Sequence, residues 1–371
     1  MDLFVYGTLQ STSLMQAVAG GAIPSAQPAR LAGYVLRPLA GDVVPFVQLA
    51  EDETVQGFVF AGLCDQQAAR LQAYEGAFGY ALAPVTVTTD AGPVQAQCYM
   101  PPPGQIPGIG SWSYTAWQAN HEVPAVFAAQ ELFAHDPMPD PAKLRAMWPM
   151  IEARAWAKHR ASAGPAVHRY HPAQDDIAIL DQRPPVGDFF RFQRFTVAHK
   201  QFQGRQSDPL SREIFVGIDA AILLPYDPMR DRVLLVEQLR LGPALRADPN
   251  PWMLEPVAGI VDARETPEQA ARREAVEEAG VTLTHLEHAG AFYPSPGSST
   301  DYFYTYVGLC DLPADTPYLG GMPGENEDLR LHPLSFDQAM TLLDTGEIAT
   351  GPLFYLLYWL ARHRDRLRSL S

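Results

Sequence analysis

The second half of the chain has the hydrophobic pattern of strands alternating with helices. Apolar and polar residues alternate over residues 189–202, and apolar runs follow at residues 214–224 and 233–238, joined by a turn sequence at residues 225–228. Residues 352–367 have the apolar face of an amphipathic helix. Together with one helix set between loops, this order predicts an α/β/α sandwich around a mixed sheet.

The first hundred residues predict a smaller domain that mixes strands and helices. Apolar and β-branched side chains predict strands at residues 3–6 and 57–60, and extended pieces at residues 84–87 and 95–100. Residues 65–76 have the pattern of a helix that a glycine ends. The expected fold of this part is a mixed α+β domain.

A proline- and glycine-rich stretch at residues 101–108 ends this domain, because neither a strand nor a helix continues through such a sequence. Residues 111–163 are mostly helical in pattern, with a break near residues 137–141, and their tryptophans predict packing between domains. We therefore divide the chain into a first domain, a helical connector and a second domain: 1–102, 103–175 and 176–371.

Composition excludes several classes of protein. A chain of 371 residues has room for two or three domains, and its formal net charge of -15 argues against binding to a nucleic-acid backbone. Three dispersed cysteines form no metal-binding spacing and indicate reduced thiols. No apolar run is long enough to span a membrane, and the N-terminus lacks a signal-peptide pattern. We expect a cytoplasmic protein that binds a small molecule.

The stretch from Gly259 to Val281 carries the strongest chemical signal. Thr266, Pro267 and Gln269 predict an N-cap, a first helical residue and a capping box, so a helix should run from Pro267 to about residue 279. On this helix the carboxylates of three glutamates stand at i, i+3 and i+4 and share one face: Glu274, Glu277 and Glu278. Carboxylates that repel one another there favour a bound hard cation such as Mg²⁺.

Charge runs on helices are more often solvated faces, but here the glycines, Glu265, Arg273 and the three glutamates all fall at fixed spacings. The stretch resembles the complete signature of the Nudix hydrolases. The resemblance implies that Glu274, Glu277, Glu278 and the carbonyl of Ala258 hold Mg²⁺, with Mn²⁺ as the alternative ion. It also implies catalytic roles for Glu277 and for Arg273, which would orient a carboxylate.

Further stretches resemble the ADP-ribose pyrophosphatase subfamily, which includes proteins of the tellurite-resistance type. They are Gly187 to Phe190, Ser211 to Glu213, Glu237 to Arg240, Tyr293 to Gly297 and Gly324 to Asp328. The resemblance implies that Glu325 is the base that deprotonates water, with Glu327 as the alternative. It further implies substrate-binding roles on the phosphates, ribose or adenine for six residues: Phe189, Phe190, Arg212, Arg240, Ser295 and Gly297.

The activity that this resemblance implies is Mg²⁺-dependent hydrolysis of ADP-ribose to AMP and ribose 5-phosphate. Subfamily members are typically homodimers that exchange N-terminal strands, so residues 189–202 would contribute to a partner's site. Two alternatives stay open. One is hydrolysis of another nucleoside diphosphate sugar or a dinucleotide, and the other is an ADP-ribose-binding sensor that does not cleave its ligand.

The first domain resembles the γ-glutamylcyclotransferase-like family through Tyr6, Gly7, Thr8 and Leu9, and through the later sequence Tyr74-Glu75-Gly76 with Tyr80. The resemblance implies that the loop holds a γ-glutamyl group and that Glu75 is a general acid/base, which requires a raised pKa. Ala81 stands after Tyr80, where many members have arginine. A binding module without the chemistry is the alternative.

Overall fold

A computed structural model describes residues 1–161, 167–312, 316–322 and 327–370. Contacts between Cα atoms divide the chain into two compact units. The first comprises residues 1–178 with 182–189 and 199–205, and the second comprises residues 179–181, 190–198 and 206–371.

The core of the first unit is a closed five-stranded barrel with the strand order β1-β3-β2-β4-β5. Its strands are β1 (Leu3–Val5), β2 (Ala26–Pro38), β3 (Pro45–Phe60), β4 (Ala81–Thr89) and β5 (Gly92–Met100). Strand β1 pairs with β3 in antiparallel and with β5 in parallel orientation, which closes the barrel. The predicted mixed α+β fold is confirmed, although the sequence pattern did not predict β2.

Four helices accompany the barrel: α1 (Thr12–Ala19), α2 (Asp65–Gly76), α3 (Tyr114–Leu132) and α4 (Pro141–Arg160). Helices α3 and α4 fall in the region predicted as a connector, yet they belong to the same compact unit as the barrel. Trp117 is buried in the core that β1 and α1 form, and Arg145 donates a hydrogen bond to the carbonyl of Ala77 at 2.7 Å. The tryptophan therefore packs inside this unit, rather than between domains as its sequence suggested.

The second unit contains an eight-stranded sheet, in which β9 lies between β14 and β10. Its strands are β9 (Asp219–Asp227), β10 (Arg232–Leu239), β11 (Trp252–Glu255), β12 (Val257–Ile260), β13 (His285–Phe292), β14 (Tyr302–Leu309), β15 (Tyr318–Gly320) and β16 (Leu329–Ser335). A separate three-stranded sheet consists of β6 (Ile177–Gln182), β7 (Arg191–His199) and β8 (Leu210–Val216). Because β14 pairs with β9 in parallel, the large sheet is mixed, as predicted.

Helices cover both faces of the large sheet, which confirms the α/β/α sandwich. The helices of this unit are α5 (Leu241–Leu245), α6 (Pro267–Glu277), α7 (Phe336–Thr345) and α8 (Gly351–Arg368). Buried alanines of α6 pack against one face, and α7 and α8 pack against the other. In the described residues, no helix is both long and apolar enough to cross a membrane.

The run predicted as one strand at residues 214–224 is instead two strands, β8 and β9, separated at Gly217 and Ile218. The carboxylate of Asp301 explains the interruption, because it accepts a hydrogen bond from the Ile218 amide at 3.2 Å. A Cβ atom at Gly217 would lie 1.6 Å from an Asp301 oxygen, so only glycine allows this approach. Strand β8 therefore ends where Gly217, which has no side chain, leaves room for the Asp301 carboxylate.

An ionic network joins α8 to the turn between β9 and β10. Asp231, which adopts a φ of 55°, accepts hydrogen bonds from Tyr226 at 2.7 Å and from Arg364, and Arg368 lies 3.3 Å away. The paired arginines help to hold the pKa of Asp231 below its usual value, although burial opposes them. This network fixes the C-terminal helix on the sheet.

Candidate active site

Helix α6 begins as its sequence predicts. Thr266 accepts a hydrogen bond from the Gln269 amide at 3.2 Å, and Gln269 returns one to the Thr266 amide at 2.8 Å, which completes the capping box. Ala270, Ala271 and Ala275 are fully buried against the sheet. Because these side chains are small, the helix lies close to β12 and presents its glutamates there. The helix ends at Glu277, slightly before the predicted end.

Glu274 is buried against Gly259 of β12. A Cβ atom at Gly259 would lie 1.7 Å from a carboxylate oxygen of Glu274, so any other residue would displace this carboxylate. Burial raises the pKa of Glu274, the neighbouring Arg273 opposes that rise, and the charges of Glu277 and Glu327 add to it. The glycine of the signature therefore has a steric role, which is to admit a glutamate to the sheet.

Glu278 is also buried, and it accepts a hydrogen bond from the Ala258 amide at 3.1 Å. Burial, with repulsion from Glu274 and Glu327, raises the pKa of Glu278 to about 8. The sequence singled out the carbonyl of Ala258, whereas the contact that the structure shows uses its N–H group. The buried carboxylates of Glu274 and Glu278 thus both contact β12.

Arg273 joins the acidic residues into one network. Its guanidinium donates to Glu265 at 3.0 and 3.1 Å, to Glu277 at 3.0 Å, to the carbonyl of Ile260 at 2.9 Å, and to Glu274. The surrounding carboxylates raise the pKa of Arg273, so it stays charged. The arginine that was predicted to orient one carboxylate hydrogen bonds three.

The donor chemistry of this face fits a hard divalent cation. In the part of the chain that the structure describes, no three His, Cys, Asp or Glu side chains converge as metal ligands, and Arg273 instead bonds Glu274 and Glu277. All candidate donors are nevertheless oxygen atoms, as Mg²⁺ prefers. A cation would also stabilise the ionised forms of Glu274 and Glu278, whose pKa values burial and like charge raise.

Strand β15 closes the C-terminal end of α6. The Gly321 amide donates to the carbonyl of Glu278, and the Tyr318 hydroxyl donates to the carbonyl of Ala279, both at 3.1 Å. A Cβ atom at Gly320 would lie 2.3 Å from the Glu278 carbonyl, so glycine is needed for this contact. No local sequence pattern indicates these groups, since residues 318–321 contact the end of α6 from about forty positions later in the chain.

The segment that follows β15 carries the two candidate bases. Glu325 lies outside the described residues. Glu327 accepts a hydrogen bond from the Met322 amide at 3.3 Å, and its charge contributes to the raised pKa values of Glu274 and Glu278. The fold therefore brings Glu327 near Glu274 and Glu278, although it lies about fifty positions later in the sequence.

Of the two predicted phosphate-binding arginines, Arg240 lies near the carboxylates. Its charge lowers the pKa of Glu278, and its Nε donates to Glu255 at 2.7 Å. Arg212 lies on β8, in the other sheet, and donates to the adjacent carbonyl of Ser211 at 2.8 Å. The structure therefore relates only Arg240 to the glutamate face, and it adds Glu255, which the sequence analysis did not single out.

Phe190 and the predicted loop residues lie around Phe215 near the end of β8. The rings of Phe190 and Phe215 pack 5.1 Å apart, and the Phe215 amide donates to the Ser298 carbonyl at 2.9 Å. Ser295 hydrogen bonds Ser298 in the same loop, which includes Gly297. Phe190 and this loop are thus brought together. Phe189, in the other compact unit, is half exposed.

The first unit gathers a second set of candidate residues around Glu75, at the end of α2. Burial raises the pKa of Glu75 to about 7. Burial also raises the pKa values of the nearby tyrosines and thiol, and the charge of Glu75 adds to the rise: Tyr6, Tyr80, Tyr99 and Cys98. The carboxyl therefore lies in an apolar, tyrosine-lined environment and titrates near neutral pH.

The loop after Tyr6 lies beside this carboxyl. The Tyr6 hydroxyl donates to the Tyr99 carbonyl at 2.8 Å, and Thr8 and Leu9 form a single 3-10 turn. A Cβ atom at Gly7 would lie 2.6 Å from the ring of Pro45, so the loop requires glycine there. The structure thus brings the two sequence motifs of the first domain together.

Comparison with known proteins places both halves of the chain. Residues 217–354 match the family model of the NUDIX domain. The protein named ADP-ribose pyrophosphatase in Escherichia coli (strain K12) is 35% identical over 196 residues, which are 53% of this chain and 93% of that protein. The chain belongs to the Nudix family. Its Nudix domain also resembles the ADP-ribose pyrophosphatase of Haemophilus influenzae, with 36% identity over 53% of this chain and 92% of that protein.

A protein named GDP-mannose pyrophosphatase, from Enterobacter sp. (strain 638), is 30% identical to this chain over 149 residues, which are 40% of this chain and 76% of that protein. Residues 3–119 match a second family model, gamma-glutamyl cyclotransferase, AIG2-like. This match extends past the barrel into α3. Both resemblances inferred from the sequence are thereby confirmed.

Replacing Glu75 should stabilise the protein in a pH-dependent way. The folded-state pKa of about 7 exceeds the usual 4.5, so the folded state loses stability as pH rises through this interval and the carboxyl ionises. We expect Glu75→Gln to have little advantage at pH 4.5 and to be more stable by about 3 kcal/mol at pH 8. Urea unfolding followed by tryptophan fluorescence measures this difference, because four of the six tryptophans lie in the first unit.

Glu53→Gln is the matched control, since Glu53 is exposed on β3. Its stability relative to the unmodified protein should not vary over the same pH range. Equal effects of Glu75→Gln at pH 4.5 and pH 8 would show that Glu75 is not a buried, neutral-range acid.

Proposed function

We propose that the Nudix domain hydrolyses the pyrophosphate of ADP-ribose to AMP and ribose 5-phosphate with Mg²⁺. The observation that carries this proposal is a pair of buried carboxylates: Glu274, which lies against Gly259 and hydrogen bonds Arg273, and Glu278, which accepts from the Ala258 amide. The similarity to proteins named ADP-ribose pyrophosphatase supports the choice of substrate.

In this proposal Glu274, Glu277, Glu278 and the Ala258 carbonyl would hold the ion. When bound, Mg²⁺ neutralises charge on the pyrophosphate oxygens and lowers the pKa of a coordinated water. Arg273 orients the carboxylates of Glu274 and Glu277 by hydrogen bonding both of them. Glu325, or Glu327 as the alternative, accepts the proton of the attacking water. The proximity of Glu327 to Glu278 supports a base in this part of the chain.

The remaining predicted residues would bind the rest of the substrate. Arg240 has the planar fork that suits phosphate oxygens, and Phe190 presents a half-exposed ring beside the loop of Ser295 and Gly297. Phe189 is half exposed as well. A substrate-binding role for Arg212 has less support, because the observed hydrogen bond of Arg212 is to the Ser211 carbonyl of its own strand.

The intact protein should release AMP from ADP-ribose only when a divalent cation is present, and Glu277→Gln should lower kcat by at least about 100-fold. This is the scale for losing one group that stabilises developing charge. The measurement is AMP release at saturating ADP-ribose, with and without Mg²⁺. The matched control is Glu268→Gln, an exposed glutamate in the first turn of the same helix, which should keep full activity.

Two outcomes would redirect this proposal. If ADP-ribose binds without release of AMP, the domain is a sensor and not a hydrolase of this ligand. If GDP-mannose or a dinucleotide is cleaved with a higher kcat/KM, the chemistry stands and the proposed substrate is wrong. The 30% identity to a protein named GDP-mannose pyrophosphatase makes GDP-mannose the first competitor to include.

For the first domain we propose proton transfer by Glu75 in the cyclisation of a γ-glutamyl amine, with release of 5-oxoproline. The supporting observation is the raised pKa of Glu75, about 7, beside the Tyr6–Leu9 loop. A carboxyl that titrates near neutral pH can both accept and donate a proton. The backbone of Gly7, Thr8 and Leu9 would hold the γ-glutamyl group.

We expect the intact protein to release 5-oxoproline from at least one member of a panel of γ-glutamyl amines and γ-glutamyl amino acids. Glu75→Gln should lose this activity by at least about 100-fold, because general acid/base groups contribute on that scale. Glu53→Gln again serves as the control. Binding without product formation would instead support a module that kept the fold and lost the chemistry.

We also propose a homodimer. Apolar side chains are exposed on β10, α5 and β11, and they would favour burial against a second copy: Leu239, Leu241, Leu245 and Trp252. Light scattering should give a mass near twice 40.8 kDa. The double variant Leu245→Lys/Trp252→Lys should halve it, while Met229→Lys, on an exposed residue elsewhere, should not. A monomeric mass for the unmodified protein rules the dimer out.

A further inference from the structure

Strands β10 and β11 place three polar side chains on the same face of the sheet as α6. Val236 pairs with Glu255 and Gln238 pairs with Met253, and the Arg240 amide donates to the Pro251 carbonyl at 2.9 Å. Val236 is buried in the core that contains α6. Because side chains alternate along a strand, Gln238, Arg240 and Glu255 share the face of Val236.

Glu255 binds both of the other two side chains. Its Oε2 accepts a hydrogen bond from Arg240 Nε at 2.7 Å, and the Gln238 side chain hydrogen bonds it as well. The Glu255 side chain is only 16% exposed, whereas that of Arg240 is 45% exposed. The bond to Glu255 uses the Nε edge of the guanidinium, so the two terminal amino groups remain for other acceptors.

The charge of Arg240 also acts on Glu278. It lowers the pKa of that carboxyl, against a rise caused mainly by burial. The charge of Arg240 therefore acts on two carboxylates. One of them, Glu255, holds Arg240 by a hydrogen bond, and the other, Glu278, belongs to the face on which a cation and a pyrophosphate would lie.

We propose that Glu255 is a positioning residue, which fixes the orientation of the Arg240 guanidinium so that its terminal amino groups bind the pyrophosphate. The inference rests on the proposed function. A bidentate contact to phosphate requires the guanidinium plane to be oriented, and prior orientation lowers the entropic cost of reaching the transition state. A largely buried carboxylate is also a poor choice for stability alone, since an apolar side chain would avoid its desolvation.

A double-mutant cycle on the intact protein tests this inference. We expect Glu255→Gln to lower kcat/KM for ADP-ribose by about ten- to a hundredfold, the scale for a misplaced catalytic contact. Arg240→Ala should lower it at least as much. Because Glu255 acts through Arg240, adding Glu255→Gln to Arg240→Ala should change kcat/KM by less than about twofold. If the fold-losses in kcat/KM of the two single variants multiply in the double variant, the inference is overturned.

Glu237→Gln is the matched control. Glu237 lies on β10 next to Gln238, but its side chain is on the opposite face, where it bonds His332 at 2.8 Å. This variant should keep the kcat/KM of the unmodified protein. Glu255→Asp adds a second test of folding and geometry, because it keeps the charge and shortens the reach. Glu255→Asp should lower kcat/KM in the protein that has Arg240. In the Arg240→Ala background the same substitution should leave kcat/KM unchanged.

A spectroscopic signal separates this inference from the proposed function. The ¹⁵Nε–¹Hε resonance of Arg240, identified by its loss in Arg240→Ala, should shift in Glu255→Gln and stay in place in Glu237→Gln, with no substrate present. If the unmodified protein releases no AMP, the proposed function fails, yet this resonance still reports the pairing. An Arg240 resonance that is unchanged in Glu255→Gln would overturn the positioning role by itself.

Discussion

The close packing of α6 on β12 is the contact on which the candidate active site depends. Gly259 leaves room for the carboxylate of Glu274, and the buried alanines of α6 let the helix approach the sheet. Burying carboxylates is costly unless they are paired and hydrogen bonded. Arg273 and the Ala258 amide supply those partners, so the same contact that forms the core also creates a strongly anionic surface.

In both domains burial raises the pKa of a carboxyl group, but the neighbours of that group differ. Burial raises the pKa of Glu75 to about 7 in the first domain and that of Glu278 to about 8 in the Nudix domain. Around Glu75 the neighbours are tyrosines and a thiol, which leaves a single carboxyl able to exchange a proton near neutral pH. Around Glu278 the neighbours are further carboxylates, and a shared cation is the simpler way to relieve their repulsion.

Elements whose signals are local were predictable from the sequence. The start of α6 is set by Thr266, Pro267 and Gln269 within four positions, and α4 begins after Asp140, whose side chain caps it. Strand β2 was missed because its own pattern is interrupted by Pro28 and Gly33, and its pairing with β3 defines it. The break at Gly217 was missed for a similar reason, since Asp301 lies 84 residues later.

By itself, the sequence determined the two families, the capped helix and the spacing that puts Glu274, Glu277 and Glu278 on one side of it. These follow from the 3.6-residue period and from capping groups a few residues apart. Only the tertiary structure decided the long-range contacts around them: the Ala258 N–H donates to Glu278, Tyr318 of β15 donates to the Ala279 carbonyl just after α6, and Arg240 donates to Glu255. The physical reason is that periodicity fixes the face on which a side chain lies, while strand register and helix packing fix its neighbours.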